Sequence, residues 1–201
     1  MSLGVVIAFF SGAGTITVGE ALRLRRKPRL SLELVEGLGP GRVAGAQTAY
    51  ARLAVRNSLY SDGESGMVVR IEKVRGGTPE NAEKLRFLES SYLAWTKEDR
   101  GNPNVPPKPN PISAGGSRQI DLAHLNSKVP GCLIVDIRPQ TESGNYMNYL
   151  GAGTFTFELT LNGNDAKTRR FSADVVHDGA PWDGRQTTAG DRLQLKDLRR
   201  I

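Results

Sequence analysis

The chain has 201 residues, of which 38% are hydrophobic and 24% charged, with one cysteine and a net charge of +6 at pH 7. A lone Cys132 rules out an intrachain disulfide and suits a reducing compartment. The positive charge suggests nucleic acid only until it is located. Arg23, Arg25, Arg26, Lys27 and Arg29 supply five of the six charges and leave the rest of the chain almost neutral. Attraction to anionic lipid headgroups explains such a collar better than phosphate contacts along a groove, so no nucleic-acid partner is expected.

Residues 1–19 carry no charged side chain and include the apolar run 5–10 together with Ile16 and Val18. A helix of about 17–25 such residues spans a hydrocarbon core. Residues 1–22 are therefore expected to form a transmembrane helix, with 23–29 as its basic juxtamembrane collar. A buried helix and a cleaved signal are the competing readings. A secretory signal carries its positive residues before the apolar run, whereas here they follow it. The positive-inside rule then places the N-terminus outside and everything after Arg29 in the cytoplasm, as a single-pass protein of the inner membrane. Gly4, Ala8 and Gly12 recur at four-residue spacing, a small-residue ridge through which two anchors would pack as a homodimer. Membrane lipid and a protein partner are the expected contacts.

About 170 residues remain, enough for one domain with its own core. Residues 30–35 alternate, with Leu30, Leu32 and Leu34 on one face, and 36–41 have turn chemistry. In residues 49–57 Ala51, Leu53 and Val55 point inward and Tyr50, Arg52 and Arg56 outward, and Met67, Val69 and Ile71 repeat the pattern in 66–74. Thr78 followed by Pro79 opens a short helix over 82–89. Residues 102–111 hold five of the eleven prolines and are expected to be an exposed loop; Pro106, Pro107 and Pro109 also offer a polyproline segment to an aromatic groove. Residues 117–123 and 132–137 are further strand candidates. Residues 154–161 and 168–176, joined by a turn at 162–165, form the clearest hairpin. The remainder, 179–201, reads as a flexible C-terminal tail with Leu195, Leu198 and Ile201 as a faint helical stripe.

Short strands, little helix and no βαβ alternation predict a mainly β, antiparallel sandwich over residues 30–178. The strand at 50–57, Leu93-Ala94-Trp95 before a long loop, the strand at 115–123 and the closing hairpin resemble the immunoglobulin-like domains of uncharacterised bacterial single-pass membrane proteins. The Cys-Trp-Cys core of true immunoglobulin domains is missing. The resemblance implies an immunoglobulin-like sandwich preceded by a transmembrane helix, serving as an interaction module, and carries over no site residue.

The histidines are His124 and His177. Asp121 and His124 share a face only if the chain turns as a helix between them, and an isolated pair supplies half of a metal site or of a triad. Cys132, between Gly131 and Leu133, reads as a small buried hydrophobe rather than a thiol nucleophile. Gly37, Gly39 and Gly41 alternate but open no helix and make no phosphate cradle. Trp95 and Trp182 fit either a core or an exposed anchor. No catalytic, metal or cofactor site is assigned. The expectation is a membrane-anchored, non-enzymatic binding or scaffolding module; the alternatives are an enzyme with an unrecognised site and a basic lipid- or nucleic-acid-associated protein.

Overall fold

The computed structural model describes residues 27–96, 108–138 and 146–201. Its strands are β1 (Leu30–Leu34), β2 (Gly39–Val43), β3 (Ala46–Asn57), β4 (Glu64–Gly76), β5 (Tyr92–Trp95), β6 (Asn110–Ile112), β7 (Ser117–Asn126), β8 (Val129–Val135), β9 (Ile137–Arg138), β10 (Tyr149–Leu150), β11 (Gly153–Asn162), β12 (Arg169–His177) and β13 (Leu193–Arg200). Two short helices, α1 (Ala82–Leu88) and α2 (Gln186–Arg192), interrupt them. Every strand pairing is antiparallel.

The mainly β, antiparallel class is as the sequence predicts, but the strands do not separate into the two sheets of a sandwich. They follow one path, β1-β3-β7-β5-β4-β11-β12-β13. The reason is β5, which pairs Ala94 and Trp95 with β7 and Tyr92 with β4, and so joins two large ladders at one side. At the other side β1 and β13 come into contact, giving a nearly closed barrel.

Period-two alternation fills the interior. Ala49, Ala51, Leu53 and Val55 from β3, Met67, Val69 and Ile71 from β4, and Phe155, Phe157, Leu159 and Leu161 from β11 are all buried. Removing each phenylalanine ring from water contributes about 2–3 kcal/mol. The predicted hairpin forms with Phe157 opposite Ala173 and Leu161 opposite Arg169. Pro79 stands at the start of a 3-10 turn behind Thr78, and α1 follows with Leu85 and Leu88 buried.

Three expectations change. Residues 36–41 are only partly a turn, because β2 resumes pairing with β3 at Gly39 and returns through Ala44 and Gly45, both at positive φ, as a two-residue hairpin requires. Part of the proline-rich stretch pairs too: β6, containing Pro111, lies off the main path beside β4, a marginal position that proline tolerates. Most clearly, 179–201 is no flexible tail. Trp182 is buried and donates its indole N–H to the Arg185 carbonyl at 2.9 Å, Ala189 and Leu193 enter the core, and β13 pairs along β12. An unpaired edge of β12 and three apolar side chains are reason enough for this segment to order.

Among the described residues no helix is long and apolar enough to cross a membrane. The expected transmembrane helix 1–22, with Gly4, Ala8 and Gly12, lies outside the described residues, as do Arg23, Arg25 and Arg26 of the collar. Lys27 and Arg29 are exposed where the chain enters β1.

Candidate functional site

Asp121 and His124 do share a face, though of a strand. In β7 Asp121 pairs with Arg52 and Ala123 with Ala51, so Leu122 is one residue more than β3 provides. This bulge offsets the odd spacing and turns both Asp121 and His124 to the outer face, opposite Arg52 and Tyr50. It also marks where β7 changes partner. Before it β7 pairs with β5 and after it with β8, and Asp136 crosses between them, its N–H donating to the Leu122 carbonyl and its carbonyl accepting from the Ala94 N–H.

A buried polar cluster results. Arg52 Nε donates to Asp121 Oδ1 at 2.8 Å, and Thr96 Oγ1 donates to the same oxygen at 2.8 Å. The guanidinium lies 5.0 Å from the Tyr50 ring centroid, and that ring packs 4.8 Å from the imidazole of His124. His124 Nδ1 meets Asp136 Oδ2 at 2.7 Å. Facing a carboxylate, Nδ1 is the nitrogen that donates in this contact. Two of the three alternating glycines find their explanation here. A Cβ on Gly39 would strike the Arg52 guanidinium and one on Gly41 the Tyr50 ring, so β2 is the bare floor across which those side chains lie.

Chemically, a histidine oriented by a carboxylate is half of a general-base arrangement. The second half, a nucleophile on the other nitrogen, is not supplied by Thr96, whose hydroxyl is committed to Asp121. Cys132 is half-buried on β8, more open than a core hydrophobe, and lies near Tyr149. Burial, then the neighbouring Tyr146 and Cys132, raises the Tyr149 phenol above its ordinary pKa. His177 makes none of the cluster's bonds and stands at the end of β12. Its Nδ1–H donates to the Gly151 carbonyl at 3.2 Å, and burial outweighs this bond and nearby Asp178 to hold its pKa below the usual value. Trp95 and Trp182 are both buried. Among the described residues no three His, Cys, Asp or Glu side chains group as a metal site.

Two of the clefts among the described residues bear on these elements. One of about 450 Å³ is lined by Trp95, Thr96, Ser117, Arg118 and Gln119, beside the polar cluster. The larger, about 560 Å³, lies at the seam of the barrel between the turn after β1 (Val35, Gly37, Leu38) and α2 with β13 (Gln186, Leu193, Leu195). Gln186 Nε2 bridges it, donating to the Leu38 carbonyl at 2.6 Å. The seam was not legible in the sequence, since it depends on residues 179–201 forming a strand.

No family model matches this chain, and neither a curated protein nor a solved structure matches it significantly.

Proposed function

We propose that this chain is a membrane-held, non-enzymatic binding module. Its body serves as an interaction domain, and an extended protein segment is its ligand. The observation that carries the reading is the seam: β1 and β13 meet there without pairing, beside a cleft of about 560 Å³ with both polar and apolar lining. The edge of β13 that faces the open cleft offers main-chain donors and acceptors to an added strand, and Leu38 and Leu195 offer its alternate side chains an apolar bed. The apolar run before the basic collar supplies the tether, with the N-terminus outside and the body in the cytoplasm.

A photo-crosslinking residue at Lys196 on the seam, in the full chain in its native membrane, is expected to give a discrete protein adduct. The same residue at Glu83 on α1 is expected to give none. Equal labelling from both positions, or labelling from Glu83 alone, removes the seam as the binding site. Protease added to intact cells is expected to spare the body, and its digestion from outside would overturn the topology.

A second reading, an enzyme, is favoured by the His124–Asp136 pair alone. It requires a measurable reaction that disappears in His124→Gln while the protein keeps its fold.

A further inference from the structure

The end of the barrel where residue 27 enters has a built, outward-facing surface of its own. It is formed by the start of β1, the end of β3, the start of β4, the 113–116 turn, the β11–β12 loop and the end of β13. The register sets these together: Leu30 lies opposite Asn57, Leu161 opposite Arg169, and Phe171 opposite Arg200. At its tip Leu59 and Tyr60 are 67% and 86% exposed, the two most exposed large apolar side chains among the described residues.

That exposure is not slackness. Asn57, buried, accepts from the Arg29 N–H at 3.1 Å and the Ser61 hydroxyl at 2.6 Å and donates to the Asp62 carbonyl at 2.7 Å. The Ser58 N–H donates to the Arg29 carbonyl, and the Gly115 N–H to that of Ser58. The 58–62 loop is therefore braced to the same main chain that leads back toward the apolar run, and it holds a leucine and a tyrosine side by side out in water. The same end carries Arg29, Arg169 and Arg200, which lie close to one another, with Lys27 and Lys167 near them in sequence and the carboxylates Asp62 and Asp165 in the adjoining loops. Glu64, also at this end, faces inward with its charge held by main-chain amides. Arg29 and Arg200 lie close enough to disfavour further positive charge at Arg169, behind the larger effect of burial.

We propose that this end is a bilayer-contacting surface, with Leu59 and Tyr60 entering the headgroup region of an anionic membrane and Arg29, Arg169 and Arg200 facing lipid phosphates. Tyrosine beside basic residues is the chemistry of the membrane interface, where the ring is buried and the hydroxyl stays wet. Two weak signals, apolar insertion and charge, together give stable apposition where one does not. The chain outside the described structure argues for the same occupant: residues 1–26 hold the apolar run, and they end at Lys27 on this face. The proposal rests on the membrane-held reading and adds an orientation to it: the barrel stands on this end, with the seam cleft near its opposite end.

The test uses the full chain with Tyr60→Trp in vesicles of phosphatidylcholine and phosphatidylglycerol, with bromines on the acyl chains as quenchers. Trp95 and Trp182 are buried and form the background, measured in the parent chain. Emission from position 60 is expected to shift to the blue and be quenched by the brominated lipid. Both effects are expected to be lost with Arg29→Glu and Arg200→Glu added. Emission at the wavelength of an exposed indole, with no quenching beyond the parent's, overturns the proposal. Extraction of the same vesicles at alkaline pH separates the two ideas. A chain that resists extraction but leaves position 60 unquenched keeps its anchor and loses this surface, while an extractable chain whose position 60 is quenched at neutral pH keeps the surface and loses the anchor.

Discussion

The two ends of the barrel are closed by different means. At the end near residue 27, side chains reach across the fold to main-chain groups: Glu64 accepts from the N–H groups of Gly66, Asn164, Asp165 and Ala166, and Asn57 ties β1, β3 and the 113–116 turn together. At the opposite end the links that cross the fold lie in the open, such as Gln186 to Leu38 and Arg192 to Asp178. The first end is rigid while displaying apolar side chains, which suits a surface that must be presented. The second leaves the seam with little holding it shut, which suits a site that must open.

The largest effect is expected from Glu64→Ala. Burial pushes this carboxyl up, but its four amide bonds outweigh that and hold it below the ordinary carboxylate range. Losing them leaves the buried Gly66 N–H without a partner and frees the more exposed amides of the 164–166 loop to water, and is expected to cost about 3 kcal/mol in chemical denaturation. Because the vacated cradle is a ring of amides shaped for a carboxylate, acetate or formate should restore part of the loss. A stability unchanged within about 0.5 kcal/mol would mean that the hairpin loop is held by something else. Asn57→Ala comes next, at about 2 kcal/mol, and should expose the 58–62 loop to proteolysis without loosening the seam.

These two residues show how the sequence misleads. Asn57 reads only as the end of the 49–57 strand and Glu64 belongs to no motif, and nothing local reveals that their partners lie as far away as Ala166 and Ser113. Strand alternation in β3, β4 and β11 was legible because burial on one face of a ladder leaves a period of two. What failed was the spacing of three. By spacing alone Asp121 and His124 share a face only in a helix, and Leu195 with Leu198 reads as a helical stripe, yet each is a strand pair with one extra residue between. Leu122 is that residue in β7; in β13 the pairing with β12 slips around Asp197, which has positive φ. Ile71 and Val74 follow the same rule, both facing the core across a bulge at Glu72. Bulges depend on the partner strand, so a single chain's pattern cannot announce them.

At the seam end, His177 provides a graded way to loosen the structure. Its folded pKa lies below the ordinary 6.5, chiefly through burial. The unfolded chain therefore takes up a proton that the folded one refuses, so the stability is complete above about pH 6.5 and is lost as pH falls toward the folded value. His177→Gln should be less stable at neutral pH yet show a flatter decline between about pH 6.5 and 5, and an unaltered slope would mean that this imidazole is protonated in the fold.

The smallest effect, and the one that sharpens the contrast most, is expected from Gln186→Ala. Its amide spans the cleft to Leu38 in an exposed position, so its loss lets water satisfy both groups and should cost only about 0.5–1 kcal/mol. Global unfolding will barely register it. Amide exchange should, because Leu38, Gly39 and the first residues of β13 sit on the edges that the bond holds together, and local opening there has little else to overcome. Faster exchange confined to those residues, with the 58–62 loop unchanged, is the expected pattern. If the seam tightens or stays as protected as before, β1 and β13 are held by their own packing, and a strand-sized ligand has no easy entry between them.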